Sequence, residues 1–320
     1  MVGTEKTNTE WLMEWMENAP AEHPVRDFFD ATDGAARAMV DSFGSIIGDL
    51  ERVSPKRLDG KRSYFYRLPS DEFNSFRSEL VVAAQLARSG AEFEFGELGH
   101  PQPDLVMVDK SFGIEIKTRT LDGLDNLCKE LTKALSEIEP KVNIKLIFPE
   151  RLLNIRREDR EQIVKETLKL AQSTGKNKFY VLERPWSSSP TLRIEIVVES
   201  APDTISQSQL SIETGALLTP YLKDIEDEIW KVLEDDQKRN QAASMNTILL
   251  VDITLTGKPG FRSAHVWSDQ LAGTFPEDCP FIGVGIVLQD LVSPRANIAV
   301  AFRSDCSDPI RKSIQALCDS

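Results

Sequence analysis

The chain has 320 residues, of which 41% are hydrophobic and 28% charged, and its formal net charge at pH 7 is −13. Those proportions are ordinary for a globular protein of one large domain or two. The acidic balance counts against a passive nucleic-acid-coating protein, which carries a basic footprint, but not against an enzyme that handles phosphate through local patches and bound cations. No apolar run approaches the roughly 18 residues of a membrane span, so no membrane partner is expected. Cys128, Cys279, Cys306 and Cys318 form no C-x-x-C pair, and His23, His100 and His265 are isolated, so no structural zinc spacing exists. Reduced cysteines in a cytoplasmic protein are the expectation. The opening MVGTEKTNTEW has no basic stretch followed by an apolar core, so it does not read as a secretory signal.

Residues 1–69 read as a helical accessory region. Trp11, Leu12, Trp15 and Met16 recur at helical spacing, as expected of a helix docked on a core. Pro20 and Pro24 break it. Asp33 is placed to cap a second helix running to Val53, with Ala36, Met39, Val40, Phe43 and Ile47 as its inner face. Lys56, Arg57, Lys61, Arg62 and Arg67 then crowd around Tyr64, Phe65 and Tyr66. In an acidic chain this tract reads either as a phosphate-contact segment or as a solvated loop entering an edge strand.

Ser70 opens the next helix, to Ala87, with Phe73, Phe76, Leu80, Ala83, Ala84 and Ala87 as its stripe and Glu79 on the stripe's flank. Gly90 stops it. Glu92 to Phe95 alternates as a strand. Gln102 to Thr120, QPDLVMVDKSFGIEIKTRT, reads as a hairpin. Leu105 to Val108 is one strand, Asp109 to Gly113 the turn, and Phe112 to Thr118 the return. Ile114 and Ile116 lie on one face of the return strand, and Glu115 and Lys117 on the other. A carboxylate and an ammonium on one face, beside a strand that opens on Asp104, are costly to bury unless paired or bound to a cation.

An α/β alternation follows, with helix over 121–139, strand over 142–148, helix over 158–173, and strands over 178–183 and 192–199. A second basic tract runs through Lys141, Lys145, Arg151, Arg156, Arg157 and Arg160. Trp186 to Pro190 is a turn. The polar stretch 201–214 reads as a loop and as the best boundary. Pro220 opens a long acidic helix, Thr247 to Thr254 reads as a buried strand, and 281–288 and 297–302 as further strands.

Asp104, Glu115 and Lys117 match the P-D…E-x-K signature of the PD-(D/E)XK nuclease superfamily, and Glu79 resembles its helix-borne acidic residue. The resemblance covers about residues 70–148. It implies an α/β fold with a restriction-endonuclease-like core, a mixed sheet flanked by helices, over 70–200. Residues 1–69 would be a helical extension and 201–320 a C-terminal α/β region that could continue the core sheet. It implies a Mg²⁺- or Mn²⁺-dependent nuclease, with DNA favoured over RNA. Asp104, Glu115 and the Ile116 main-chain carbonyl would hold the metal, Glu79 would reach it from the helix, and Lys117 would act on the water or the phosphate. Lys56, Arg57, Lys61, Arg62 and Arg119 are candidate nucleic-acid contacts, and a homodimer is compatible with the family. His100 could touch phosphate from its loop. The alternative is a catalytically silent scaffold that binds other proteins, since fold does not dictate function.

Overall fold

Alternating and continuous apolar runs make the strands of this chain, and stripes at helical spacing make its helices. The computed structural model describes residues 6–30, 34–69, 72–97, 100, 102–120, 122–139, 141–148, 157–173, 178–184, 192–200, 208–214, 229–230, 239–240, 242, 245–255, 263–276 and 278–319. The fold is mixed α/β. It divides into two compact units, Met1–Arg119 with Trp230–Ser320, and Thr120–Ile229.

The chain enters the first unit through α1 (Asn8–Met16), α2 (Arg26–Asp30), α3 (Gly34–Val53) and α4 (Leu58–Phe65). A capping box starts α1, in which Glu10 N donates to Thr7 Oγ1 at 3.2 Å and Thr7 N to Glu10 Oε2 at 2.6 Å. The basic tract, read either as a phosphate-contact segment or as a solvated loop, forms the helix α4 over Leu58–Phe65. Its apolar Leu58 and Phe65 are buried, and burial of that face decides for helix over loop. Next come α5 (Phe73–Arg88), β1 (Phe93–Phe95), β2 (Leu105–Met107) and β3 (Gly113–Thr120). The expected stripe of α5 is buried and more: Arg77, Ser78 and Gln85 are buried too.

The second unit holds α6 (Asp122–Ser136), β4 (Val142–Phe148), α7 (Arg157–Gln172), β5 (Lys178–Arg184), β6 (Leu192–Ser200) and β7 (Gln209–Thr214). Its sheet has the order β5-β6-β4-β7, with β4 and β7 parallel. The stretch expected as a boundary loop therefore ends in a strand. Ser/Gln content hides it, but the register of Leu210 against Ile144 makes it the fourth strand of that sheet. Leu127, Leu131, Leu135, Val142, Ile144 and Ile196 belong to its core.

The chain returns to the first unit through β8 (Thr247–Leu255), α8 (Ala264–Gly273), β9 (Gly283–Gln289), β10 (Ala296–Phe302) and α9 (Asp308–Asp319). The first sheet has the order β1-β2-β3-β8-β9-β10. Its β1-β2-β3 part is antiparallel, β8 and β9 run parallel, and β9 and β10 antiparallel. A parallel pair needs a crossover, and α8 lies in the connection between β8 and β9. One buried cluster joins Leu12, Trp15, Phe43 and Phe65 to Leu80, Ile114, Leu250 and Ile298. The N-terminal helices and the C-terminal strands are thus parts of one core, and the units do not follow divisions at 69 and 200. Ser70, Asp33, the Trp186–Pro190 turn and most of the acidic helix after Pro220 lie outside the described residues.

Candidate metal centre and adjoining cleft

The expected hairpin forms, and its hydrogen bonds explain the Pro-Asp pair. Met107 N donates to Phe112 O at 3.1 Å, and Leu105 stands opposite Ile114. In an antiparallel ladder every second pair exchanges hydrogen bonds. The next bonded position would fall to Pro103, which has no N–H to give and whose ring turns to lie over Gly113. The Asp104 side chain completes the position instead: its Oδ2 accepts from Ile116 N at 2.8 Å. The Ile116 carbonyl points to the same side of β3 as its N–H, which is the side of the Asp104 carboxylate. Glycines let the chain pass here. A Cβ on Gly113 would come within 2.6 Å of Pro103 Cγ, and one on Gly96 within 2.2 Å of the Pro103 carbonyl oxygen.

Asp104 precedes Leu105 on β2 and Glu115 follows Ile114 on β3, so the two acids flank the last paired position, with Glu115 on the face opposite Ile114. Lys117 follows one pleat along that face. Glu115 is fully buried, and Asp104 and Lys117 are half-buried. Ile114 and Ile116 point the other way, into the core. Two carboxylate oxygens and a main-chain carbonyl are hard ligands suited to Mg²⁺ or Mn²⁺, so the residues present fit such a cation.

Glu79 is placed differently. Helix α5 packs on the Ile114–Ile116 face of β3, where Thr118 Oγ1 donates to Ser78 Oγ at 3.0 Å. The Glu79 carboxylate is ion-paired with Lys61, whose ammonium lies 5.4 Å from the Phe95 ring centroid. Both side chains of the pair are largely buried. Among the described residues no three His, Cys, Asp or Glu side chains stand together as a metal-holding group.

Most of the cations expected at phosphate are engaged in the fold. Lys61 serves Glu79, and Arg62 donates to Tyr66 Oη at 2.9 Å and to Glu14 O at 3.0 Å. Arg57 donates to Phe95 O at 3.0 Å and lies 3.3 Å from Glu94. Lys56 lies 3.1 Å from Glu94 with a mostly exposed side chain. Burial would raise the Glu94 carboxyl, but Lys56 and Arg57 outweigh it and hold the group below its usual range. Arg119 is half-buried on β3, and exposed His100 is 3.5 Å from Glu97. In the second tract Lys141, Lys145 and Arg160 pair with Glu139, Glu213 and Glu130.

The face that carries Glu94 and Val106 is the Asp104–Glu115 face, by the register of β1, β2 and β3. It borders a cleft of about 1170 Å³ whose lining includes Lys56, Arg57, Glu94, Val106, Val108 and Lys110. Helical and strand patterns do not reveal such a cleft, because it forms where the α3–α4 connection crosses the sheet edge: Phe95 N donates to Lys56 O at 3.1 Å.

Sequence patterns also miss a buried polar network behind β3. Asp252 of β8 accepts from Ser78 Oγ and Gln289 Nε2, and Gln289 Oε1 accepts from Arg77. Arg77 also donates to Ser42 Oγ and to the Leu291 and Ser293 carbonyls. Burial pushes the Arg77 guanidinium down to about 10, against the opposing pull of Asp252 and Asp290. The one available signal is Asp252 itself, a lone acid in the apolar run TILLVDIT. Searches against models of known families, against curated proteins and against solved structures each return no match.

Proposed function

We propose that the chain is a divalent-metal-dependent nuclease of the PD-(D/E)XK type, hydrolysing phosphodiester bonds of nucleic acid, with DNA favoured over RNA. The observation that carries this reading is that Asp104, at the foot of β2, accepts from Ile116 N beside the fully buried Glu115 of β3. Element order agrees with it: helix, strand, Pro-Asp strand, short turn, Glu-x-Lys strand, helix. The restriction-endonuclease-like core would be α5 with β1, β2 and β3, extended by β8, β9 and β10 rather than by β4, which joins the other sheet.

Asp104, Glu115 and the Ile116 carbonyl would hold Mg²⁺ or Mn²⁺, which when bound acts as a Lewis acid and activates water. The two carboxylates orient their oxygens from adjacent strands, so the ladder itself sets the ligand spacing. Lys117 neutralises charge that develops on the phosphate. Glu79 contributes only on release from Lys61. The test is incubation of labelled single- and double-stranded DNA and RNA with Mg²⁺ or Mn²⁺, comparing wild type with Asp104→Asn and Lys117→Ala. Cleavage by the wild type alone is expected. Cleavage by none of them, or by all three equally, overturns the reading.

The second reading is a silent nuclease-like scaffold, favoured by the Glu79–Lys61 ion pair, which occupies the helix-borne carboxylate. Titration calorimetry with Mn²⁺ separates the two. Heat that disappears in Asp104→Asn belongs to the nuclease, and absence of heat in the wild type to the scaffold.

A further inference from the structure

Among the described residues, three non-glycine positions have left-handed backbone: Ser54 (φ 49°), Arg57 (φ 69°) and Lys110 (φ 56°). All three line the cleft beside the hairpin, although Ser54 and Arg57 lie far from Lys110 in sequence. Side-chain-bearing residues rarely take that conformation, and such strain collects where geometry serves a ligand. Arg57 shows how it is held. The turned backbone lets its guanidinium reach Phe95 O while the neighbouring Lys56 carbonyl accepts from Phe95 N.

The cleft combines two chemistries. Lys56, Arg57 and Lys110 outnumber Glu92 and Glu94 along it, in a chain whose net charge is −13. Val53 and Val108 also line it, and they are among the few large apolar side chains left exposed in the described residues, Val53 at 46% and Val108 at 54%. A cationic rim over exposed aliphatic surface suits a ligand with both a phosphate and a flat apolar face. A nucleotide has both. A duplex keeps its base faces stacked inside, so only a single strand can offer them.

We infer that this cleft binds a single-stranded nucleic-acid segment, with phosphates on Lys56 and Lys110 and base faces against Val53 and Val108. The strand would run along the Glu94–Val106 face toward Asp104 and Glu115. Its destination rests on the nuclease reading, but the binding does not.

Fluorescence anisotropy of a short fluorescein-labelled single strand, in EDTA so that nothing is cut, tests the inference. Lys56→Glu/Lys110→Glu is expected to weaken binding about tenfold or more and to flatten the salt dependence, as the loss of two phosphate contacts requires. Lys312→Glu, which reverses an exposed cation outside the cleft, should bind as the wild type does. The same sequence as a duplex should compete poorly, and a mononucleotide should compete only weakly. If charge reversal lowers the folded yield, Lys56→Ala/Lys110→Ala gives the same comparison. Wild-type affinity in the double variants, equal competition by duplex, or no binding by the wild type overturns the cleft assignment. Cleft-dependent binding without cleavage in Mn²⁺ leaves the cleft standing and removes the nuclease. Cleavage that survives with full binding in the double variants does the reverse.

Discussion

Asp104→Asn separates the charge of the proposed centre from its fold. Asparagine keeps an oxygen to accept from Ile116 N, as Asp104 does at 2.8 Å. The charge-assisted share of that bond, about 1 kcal/mol, is lost. Acids on adjacent strands about one strand spacing, about 5 Å, apart repel by about 3 kcal/mol at an effective dielectric of 20, and this is relieved. Lys117 sits diagonally at about 7–8 Å, and its attraction of about 2 kcal/mol to Asp104 is lost as well. The three contributions nearly cancel, so the metal-free variant should match wild-type stability within about 1 kcal/mol, or about 3 °C in Tm. Mn²⁺ at 100 times its Kd should then raise the wild type by about 2.7 kcal/mol, or roughly 5–10 °C, and the variant far less. Scanning calorimetry with EDTA and with Mn²⁺ measures both quantities. Equal Mn²⁺ shifts would refute the ligand assignment. A metal-free loss well beyond about 1 kcal/mol would refute the electrostatic balance.

Lys61→Met leaves the Glu79 carboxylate without its ammonium in a largely buried setting, and urea melts should show a loss of about 3 kcal/mol; Lys61→Met/Glu79→Leu should recover most of it. A single-variant loss below about 1 kcal/mol would show that the pair is solvated. Asp252→Asn removes the charge that faces Arg77 through Gln289, so it should cost about 3 kcal/mol in the same assay, and an unchanged midpoint would contradict the network. His23 supplies a pH dependence. Val25 N donates to its Nδ1 at 3.3 Å, so the proton sits on Nε2, which donates to Phe65 O at 2.8 Å. Burial holds its pKa below the ordinary 6.5, with Arg26 adding to the depression and the Phe65 carbonyl opposing it. The neutral ring is the folded form, so its contribution is complete above pH 6.5 and is lost as pH falls through that value, by at most about 1.4 kcal/mol per pH unit. His23→Gln should flatten the stability profile just below pH 6.5; an identical slope in both proteins would assign it to other groups.

Legibility in the sequence follows what each signal depends on. β1 and the β2–β3 hairpin are readable because alternation and turn residues act over a few positions: Phe93 and Phe95 face inward, and Asp109 opens the turn with its side chain bonded to Ser111 N at 2.9 Å. β4 is readable at both ends for the same reason. α4 is not, because its cations dominate the composition while Leu58 and Phe65 decide the structure. β7 is not, because a strand whose partner is Val142–Phe148 takes its identity from that pairing and not from its own polar residues. α8 and α9 escape for a related reason: their stripes are short, and Trp267, Leu271, Ile310 and Ile314 gain meaning only against the core they cover. The division into units is the least legible feature of all. It depends on β8, β9 and β10 joining β3 in one sheet, which the order of strands in the chain does not disclose.

In the candidate centre the local part is legible and the long-range part is not. Glu115 and Lys117 share a face because strand alternation leaves no alternative, and one hydrogen bond ties Asp104 to their strand, whereas the partner of Glu79 depends on where α4 docks. The charges on that shared face argue for a cation. Arg119 follows Lys117 on that face, so two carboxylates stand with two cations there, and Glu115 carries its charge with no solvent exposure. A purely structural β3 would be at least as stable with an apolar side chain at that position, since replacing buried ions by packed hydrophobes is often neutral or favourable. A divalent cation would make the face net positive, complementary to the charge of a phosphodiester. The residue that makes the apo sheet less stable is thus the one that makes the loaded face complementary to phosphate, which is where the nuclease and the scaffold part.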